Sequence, residues 1–100
     1  MEELEIICLQ VISNAGEARS QCMCALESAR YGRFKEAEHY LKEASERLQI
    51  AHHIHTDLIT KEANGELLRI GLILVHSEDI LMGAEITSAL AREMVEMYKR

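Results

Sequence analysis

The run FKEAEHYLKEASERLQIAHHIHTDL, residues 34–58, sets Phe34, Ala37, Leu41, Ala44, Leu48, Ala51, His55 and Leu58 in unbroken alternating steps of three and four. Such steps return to one face of an α-helix, and sustained over about seven turns they form the seam of helices packed in coiled-coil fashion. Upstream, Leu4, Cys8, Val11, Ala15, Ala18, Cys22, Ala25 and Ala29 follow the same rule. Downstream, Leu72, Val75, Asp79, Met82, Ile86 and Ala89 repeat it. Two places punctuate the chain, Arg30-Tyr31-Gly32-Arg33 and Ala63-Asn64-Gly65. Each offers Gly or Asn for the left-handed residue that ends a helix. The many small seam residues let the backbones approach closely. The expected fold is all-α, an antiparallel up-down-up three-helix bundle.

The length of 100 residues fits a single domain spanning 1–100. The composition is 48% hydrophobic and 28% charged, enough to bury a core and keep a polar surface. Aromatics make up only 4% and proline is absent, which argues against a turn-rich all-β protein and against Pro-rich linkers. A net charge of −6 without a basic cluster excludes nucleic acid and anionic membrane surfaces as partners held through phosphate. Met1-Glu2-Glu3 is acidic where a secretory signal is basic. The longest apolar stretch, Ile70 to Val75, falls far short of the ~20 residues that span a bilayer, so no membrane insertion is expected. Three cysteines, Cys8, Cys22 and Cys24, form no C-x-x-C pair, and the odd count points to reduced thiols in the cytoplasm. On a helix Cys22 and Cys24 point apart, so they read as core and surface residues rather than a metal clamp.

The third segment is apolar beyond its seam, carrying Leu67, Ile70, Ile73, Leu74, Ile80, Leu81, Leu90 and Val95 as well. A helix that is apolar all round is buried all round. Three helices cannot surround one of their own, which implies a homo-oligomer of closed symmetry with the third helix near its axis. Two polar residues interrupt that helix. Asp79 takes a seam position, where a buried carboxylate requires a partner, a metal or a proton. His76 lies three residues before it and projects from roughly the same side. That pairing fits a satisfied core histidine, a nucleophilic imidazole or a metal ligand. The remaining histidines are less specific. His52, His53 and His55 resemble a metal tract by composition, yet His53 faces away from the other two and nothing completes four ligands. His55 sits on the second seam and suits a hydrogen bond to Thr or Glu. His39 falls among Glu36, Glu38 and Glu43 on a solvated face.

Beyond these patterns, the chain resembles the IIA component of the bacterial phosphoenolpyruvate-dependent sugar phosphotransferase system (PTS), in its lactose and cellobiose/chitobiose class. The resemblance runs through Ala15-Gly16-Glu17-Ala18-Arg19-Ser20, Ala25, Ala29, Ala37, Leu41, Ala44, Ala51-His52, Thr56 and Glu62-Ala63-Asn64-Gly65. It peaks at Leu74-Val75-His76-Ser77-Glu78-Asp79-Ile80-Leu81-Met82, where the family usually reads Leu-Val-His-Ala-Gln-Asp-His-Leu-Met. Departures fall at Ser77, Glu78 and Ile80, and at His55, where the family usually carries Gln.

The resemblance implies a homotrimer joined as a nine-helix bundle. It matches His76 to the phosphorylated histidine, set in a cleft between subunits. It matches Asp79 to the aspartate whose three copies meet on the trimer axis around a metal ion, usually magnesium. The implied function is phosphoryl relay for uptake of a lactose/cellobiose-type disaccharide. His76 would accept the group from the histidine-containing phosphocarrier protein (HPr) and pass it to a cysteine of a IIB component. Two other classes remain open: a non-catalytic helical regulator or degenerate paralogue with a structural His76, and a metal-binding bundle using Asp79 with several histidines.

Overall fold

Both glycine breaks end helices, and they do so in the same way. The computed structural model describes residues 2–67 and 69–100, with α1 (Glu3–Arg30), α2 (Phe34–Ala63) and α3 (Leu72–Tyr98). At the end of α1 the Arg33 N–H donates to the Ser28 carbonyl at 2.9 Å and the Gly32 N–H to that of Ala29 at 3.0 Å. At the end of α2 the Glu66 N–H donates to the Lys61 carbonyl at 2.8 Å and the Gly65 N–H to that of Glu62 at 3.0 Å. This paired closure satisfies carbonyls the helix would leave orphaned, and it needs a left-handed residue at the first of the two donors. Gly32 and Gly65 supply it, at φ +78° and +72°. Asn64 keeps a negative φ of −86°, so glycine alone makes the second reversal.

The seams expected for α1 and α2 are the faces they bury. On α1, Cys8, Val11, Ala15, Ala18, Cys22, Ala25 and Ala29 are inaccessible or nearly so. On α2, Ala37, Leu41, Ala44, Ala51 and Leu58 are buried in the same manner. The antiparallel order follows from who meets whom. Cys8 and Leu58 share a cluster with Leu74 at one end, while Ala29 and Ala37 share one with Val95 at the other. Val11, Ala15, Ala51, Leu81 and Ala84 fill the middle. Both other helices pack along α1, and α2 meets α3 along a thinner seam. The result is a rod 51 Å long and 23 × 18 Å across.

The third helix departs from its expected seam. Its buried face is Leu74, Ser77, Leu81, Ala84, Ser88, Ala91 and Val95. The anticipated set Leu72, Val75, Asp79, Met82, Ile86 and Ala89 lies on the opposite side and is exposed, with Leu72 at 85%. Asp79 is therefore exposed in the single chain, not buried on a seam. Both faces of α3 obey the same spacing, so period alone does not choose between them. Size does: Ser77, Ala84, Ser88 and Ala91 allow α1 to come close, whereas Met82 and Ile86 would hold it off. The Ser77 hydroxyl satisfies itself by donating to the Leu74 carbonyl at 2.7 Å, which lets a polar residue sit in the core. The helix also begins later than the apolar run suggests. Leu67 and Ile70 precede it in non-helical backbone, and Gly71 is its extended N-cap at φ −120°, ψ 175°.

Neither Gly32 nor Gly65 has a heavy atom within 4 Å of where a Cβ would stand, so substitution there meets only the conformational penalty. Gly32→Ala and Gly65→Ala are each expected to destabilise by about 1–2 kcal/mol, read as a lower urea midpoint at unchanged slope. Thiol labelling gives a second check on the packing. Burial pushes the Cys8 and Cys22 thiols up, while Cys24 is exposed. A thiol reagent should modify Cys24 at once, and Cys8 and Cys22 only at the rate of unfolding.

Candidate active site

His76 stands in the second turn of α3, exposed, at the end of the bundle where Cys8, Leu58 and Leu74 form the smallest core cluster. Its position follows from its neighbours. Leu74 and Ser77 turn inward to α1 and α2, which rotates the intervening turn so that Val75 and His76 face outward. One turn away on the His76 side lie Leu72, Asp79 and Ile80, two of them apolar. The ion pairs among the described residues engage His39, His52, His53 and His55 and leave the His76 imidazole out. An exposed imidazole free of a carboxylate is a competent nucleophile, because its neutral form already carries a lone pair and needs no base to activate it.

Asp79 shares this side of the helix with His76 and is exposed as well. It interrupts an outer apolar stripe of Leu72, Val75, Met82, Ile86 and Leu90, beyond which Glu93 breaks the same face again before Met97. Its carboxylate is a hard oxygen donor of the kind magnesium takes. Within one chain it has no co-ligands: no three His, Cys, Asp or Glu side chains among the described residues converge on a metal position. The histidine tract likewise fails to assemble. His52 Nδ1 lies 3.3 Å from Glu85, His53 lies 4.0 Å from Asp57 and His39 lies 3.5 Å from Glu43, each partnered separately at the surface.

His55 behaves differently. Only 11% exposed, it hydrogen-bonds through Nε2 to Oε1 of Glu78, tying α2 to the turn of α3 that carries His76. The sequence suggested a Thr or Glu partner for His55 but gave no means of choosing one, since the choice depends on how α2 and α3 are rotated against each other. Beside this pair a groove of about 260 Å³ separates the end of α2 from the start of α3. Leu58, Ile59, Ile70, Leu74 and Val75 give it apolar walls, with Glu78 at one edge. Arg69, in the segment leading into α3, is tied back to Glu2 and lies 3.8 Å from Glu5 at the start of α1. The entry to the helix of His76 is thus held at both sides, by Arg69 to α1 and by Glu78 to α2.

The profile of the family described as "PTS system, Lactose/Cellobiose specific IIA subunit" matches residues 6–99. The lichenan-specific phosphotransferase enzyme IIA component of Bacillus subtilis is 40% identical over 99 residues, covering 99% of this chain and 90% of that protein. Among solved structures, the PTS cellobiose-specific enzyme IIA of Bacillus anthracis superposes with a TM-score of 0.95 at 41% identity, covering 99% of this chain and 91% of that one. The IIA(chitobiose) protein of Escherichia coli, solved in complex with HPr, superposes with a TM-score of 0.85 at 32% identity, over 99% of this chain and 96% of that one. A three-helix rod with an outward histidine at the start of its last helix, matched along its whole length by these proteins, belongs to the lactose/cellobiose-specific IIA family, the phosphoryl carriers of the phosphotransferase system.

Proposed function

We propose that His76 is the phosphorylated residue of a cytoplasmic relay that takes a phosphoryl group from HPr and gives it to a IIB component during uptake of a lactose/cellobiose-type disaccharide. The observation that carries this reading is an exposed imidazole on a rigid helix, flanked by apolar side chains and clear of every carboxylate pair. A nitrogen of His76 attacks the phosphorus of the donor's phosphohistidine; a P–N bond forms on His76 as the donor's P–N bond breaks. In the second half a thiolate of the IIB partner attacks the same phosphorus, forming P–S and returning His76 to neutral imidazole. Charge in such transfers is spread over the phosphoryl oxygens, so placement does most of the work. The exposed apolar side chains of Ile59 and Ile70, outside the α3 stripe, serve both partners in turn, and a relay of this kind needs only a small, transient interface. Among the described residues no helix is long and apolar enough to cross a membrane, in keeping with a carrier that shuttles between proteins.

The assembly we infer is a homotrimer with α3 innermost. What supports it is the outer stripe of α3, whose large apolar side chains would otherwise all face water. On that arrangement three copies of Asp79 converge, with Val75 and Met82 a turn to either side, and a magnesium ion between them supplies the positive charge that offsets their repulsion. Like carboxylates a few Å apart repel by about 4 kcal/mol per pair at an effective dielectric near 20.

Incubation with phosphoenolpyruvate and the general phosphotransferase proteins should add one acid-labile phosphate per chain. His76→Gln should abolish that gain with helicity unchanged, while His39→Gln, His52→Gln and His53→Gln should label normally. Labelling that survives His76→Gln would assign the phosphate elsewhere, and no labelling of the parent would favour a regulator. For the axis, Asp79→Leu should yield a trimer that persists in EDTA and melts above the parent, whereas the parent should melt lower once magnesium is chelated. Monomeric Asp79→Leu, or a parent melt indifferent to EDTA, would remove Asp79 from the axis.

A further inference from the structure

The bond between His55 and Glu78 is the one polar tie, among the described residues, that joins α2 to the turn of α3 bearing His76. Its placement is unusual for a surface ion pair. His55 occupies a seam position of α2 and is 11% exposed, so it is held by packing before it makes any hydrogen bond. The Glu78 carboxylate comes in to meet it. Residues two apart on a helix point to opposite sides, so Glu78 is not a base for His76. What it brings to the active turn is charge. Accepting a phosphoryl group adds about two negative charges to a turn that already carries Glu78 and Asp79.

Resting on the carrier reading above, we propose that His55 is a positioning residue for phosphoryl transfer at His76, engaging the Glu78 carboxylate on the far side of the helix so that its charge is taken up when the phosphoryl group arrives. The imidazole gives Nε2–H to the carboxylate in its neutral form, and in its protonated form it cancels the charge outright. Either form lowers the field that Glu78 casts across α3. A neutral side chain at position 78 would need no such partner, so the two residues act as a unit.

That dependence makes the pair separable from packing. Initial rates of phosphorylation by phospho-HPr should fall in His55→Ala, by at most on the order of tenfold, the limit set by one fully unpaired charge about 10 Å from the incoming group at an effective dielectric near 20. Glu78→Gln should react at least as fast as the parent. The double variant His55→Ala/Glu78→Gln should recover the parent rate although it lacks the same imidazole. If the double variant is as slow as His55→Ala, His55 acts through packing and the proposal falls. If Glu78→Gln alone is slow, the carboxylate is needed rather than restrained, and the proposal falls again. Imidazole ¹⁵N–¹H spectra of the unphosphorylated protein supply a reading independent of activity. The His55 Nε2–H resonance should be hydrogen-bonded and slow to exchange in the parent and shift in Glu78→Gln. A spectrum that meets this expectation beside a parent that takes no phosphate overturns the carrier reading; normal phosphorylation without rescue overturns only the role of His55.

Discussion

Close approach of α1 to both of its neighbours governs everything else in this molecule. Ala15, Ala18, Cys22, Ala25 and Ala29 on α1 meet Ala37, Ala44 and Ala51 of α2 and Ala84 and Ala91 of α3, all essentially inaccessible. Side chains this small contribute little apolar area each, so stabilisation comes from dense backbone-to-backbone packing rather than from large buried groups. That kind of packing is intolerant of rotation. Turning α3 by one residue would drive Glu78 or Ile73 toward α1 where Ser77 and Leu74 now sit. The orientation of His76 is therefore not a local property of its own turn. It is inherited from a seam of small residues running the full length of the rod.

The same seam decides where charge goes. With the interior closed to anything larger than leucine, charged groups are confined to the rim, and most of the ion pairs there are exposed and weak. Two of them sit where the apolar core is thinnest, at the end holding Cys8, Leu58 and Leu74: Arg69 with Glu2, and His55 with Glu78. At the opposite end the core is larger, joined by Leu41 and Val95 with Phe34 and Tyr40 packed against it. Polar ties thus supplement packing at the end that carries the candidate site. Lys99, whose ammonium is held charged by Glu38 and Glu96, fastens the far end of α3 by contact at the surface alone.

The faces of α1 and α2 were legible in the sequence because each helix has a single apolar stripe, and a stripe with one solution needs no structure to locate it. The glycine breaks were legible for a similar reason: Gly32 and Gly65 are the residues at those reversals able to take a positive φ without strain. The inner face of α3 was not. Leu72-Val75-Met82-Ile86 and Leu74-Leu81-Ala84-Ala91 both satisfy the helical period, and hydrophobicity favours the former, which lies outside. Packing chose by volume, a criterion that acts between helices and leaves no mark in either one's own pattern. His76 was singled out by its motif and its place beside Asp79, and the structure leaves it exposed on the outer side of α3. The His55–Glu78 bond was not, since two residues 23 positions apart meet only once the rotation of α3 is fixed.

An outward stripe of large apolar residues is a poor feature for a lone chain and a useful one for a subunit. A helix whose small face turns inward and whose large face turns outward splits its hydrophobic free energy between folding and assembly. The fold keeps the tight, specific share; the proposed trimer takes the larger, less specific one. On that proposed assembly Asp79 takes a physical role on the outer face. An unbroken apolar stripe from Leu72 to Leu90 would accept another α3 in several sliding registers, as uniform seams do. In the proposed trimer a carboxylate in the middle of that stripe would tolerate only the register in which all copies meet a common cation, so it would exchange some stability for a single alignment. Because His76 lies less than one turn from Asp79, a residue that fixed the register of the proposed trimer would also fix the level at which the His76 imidazoles are presented.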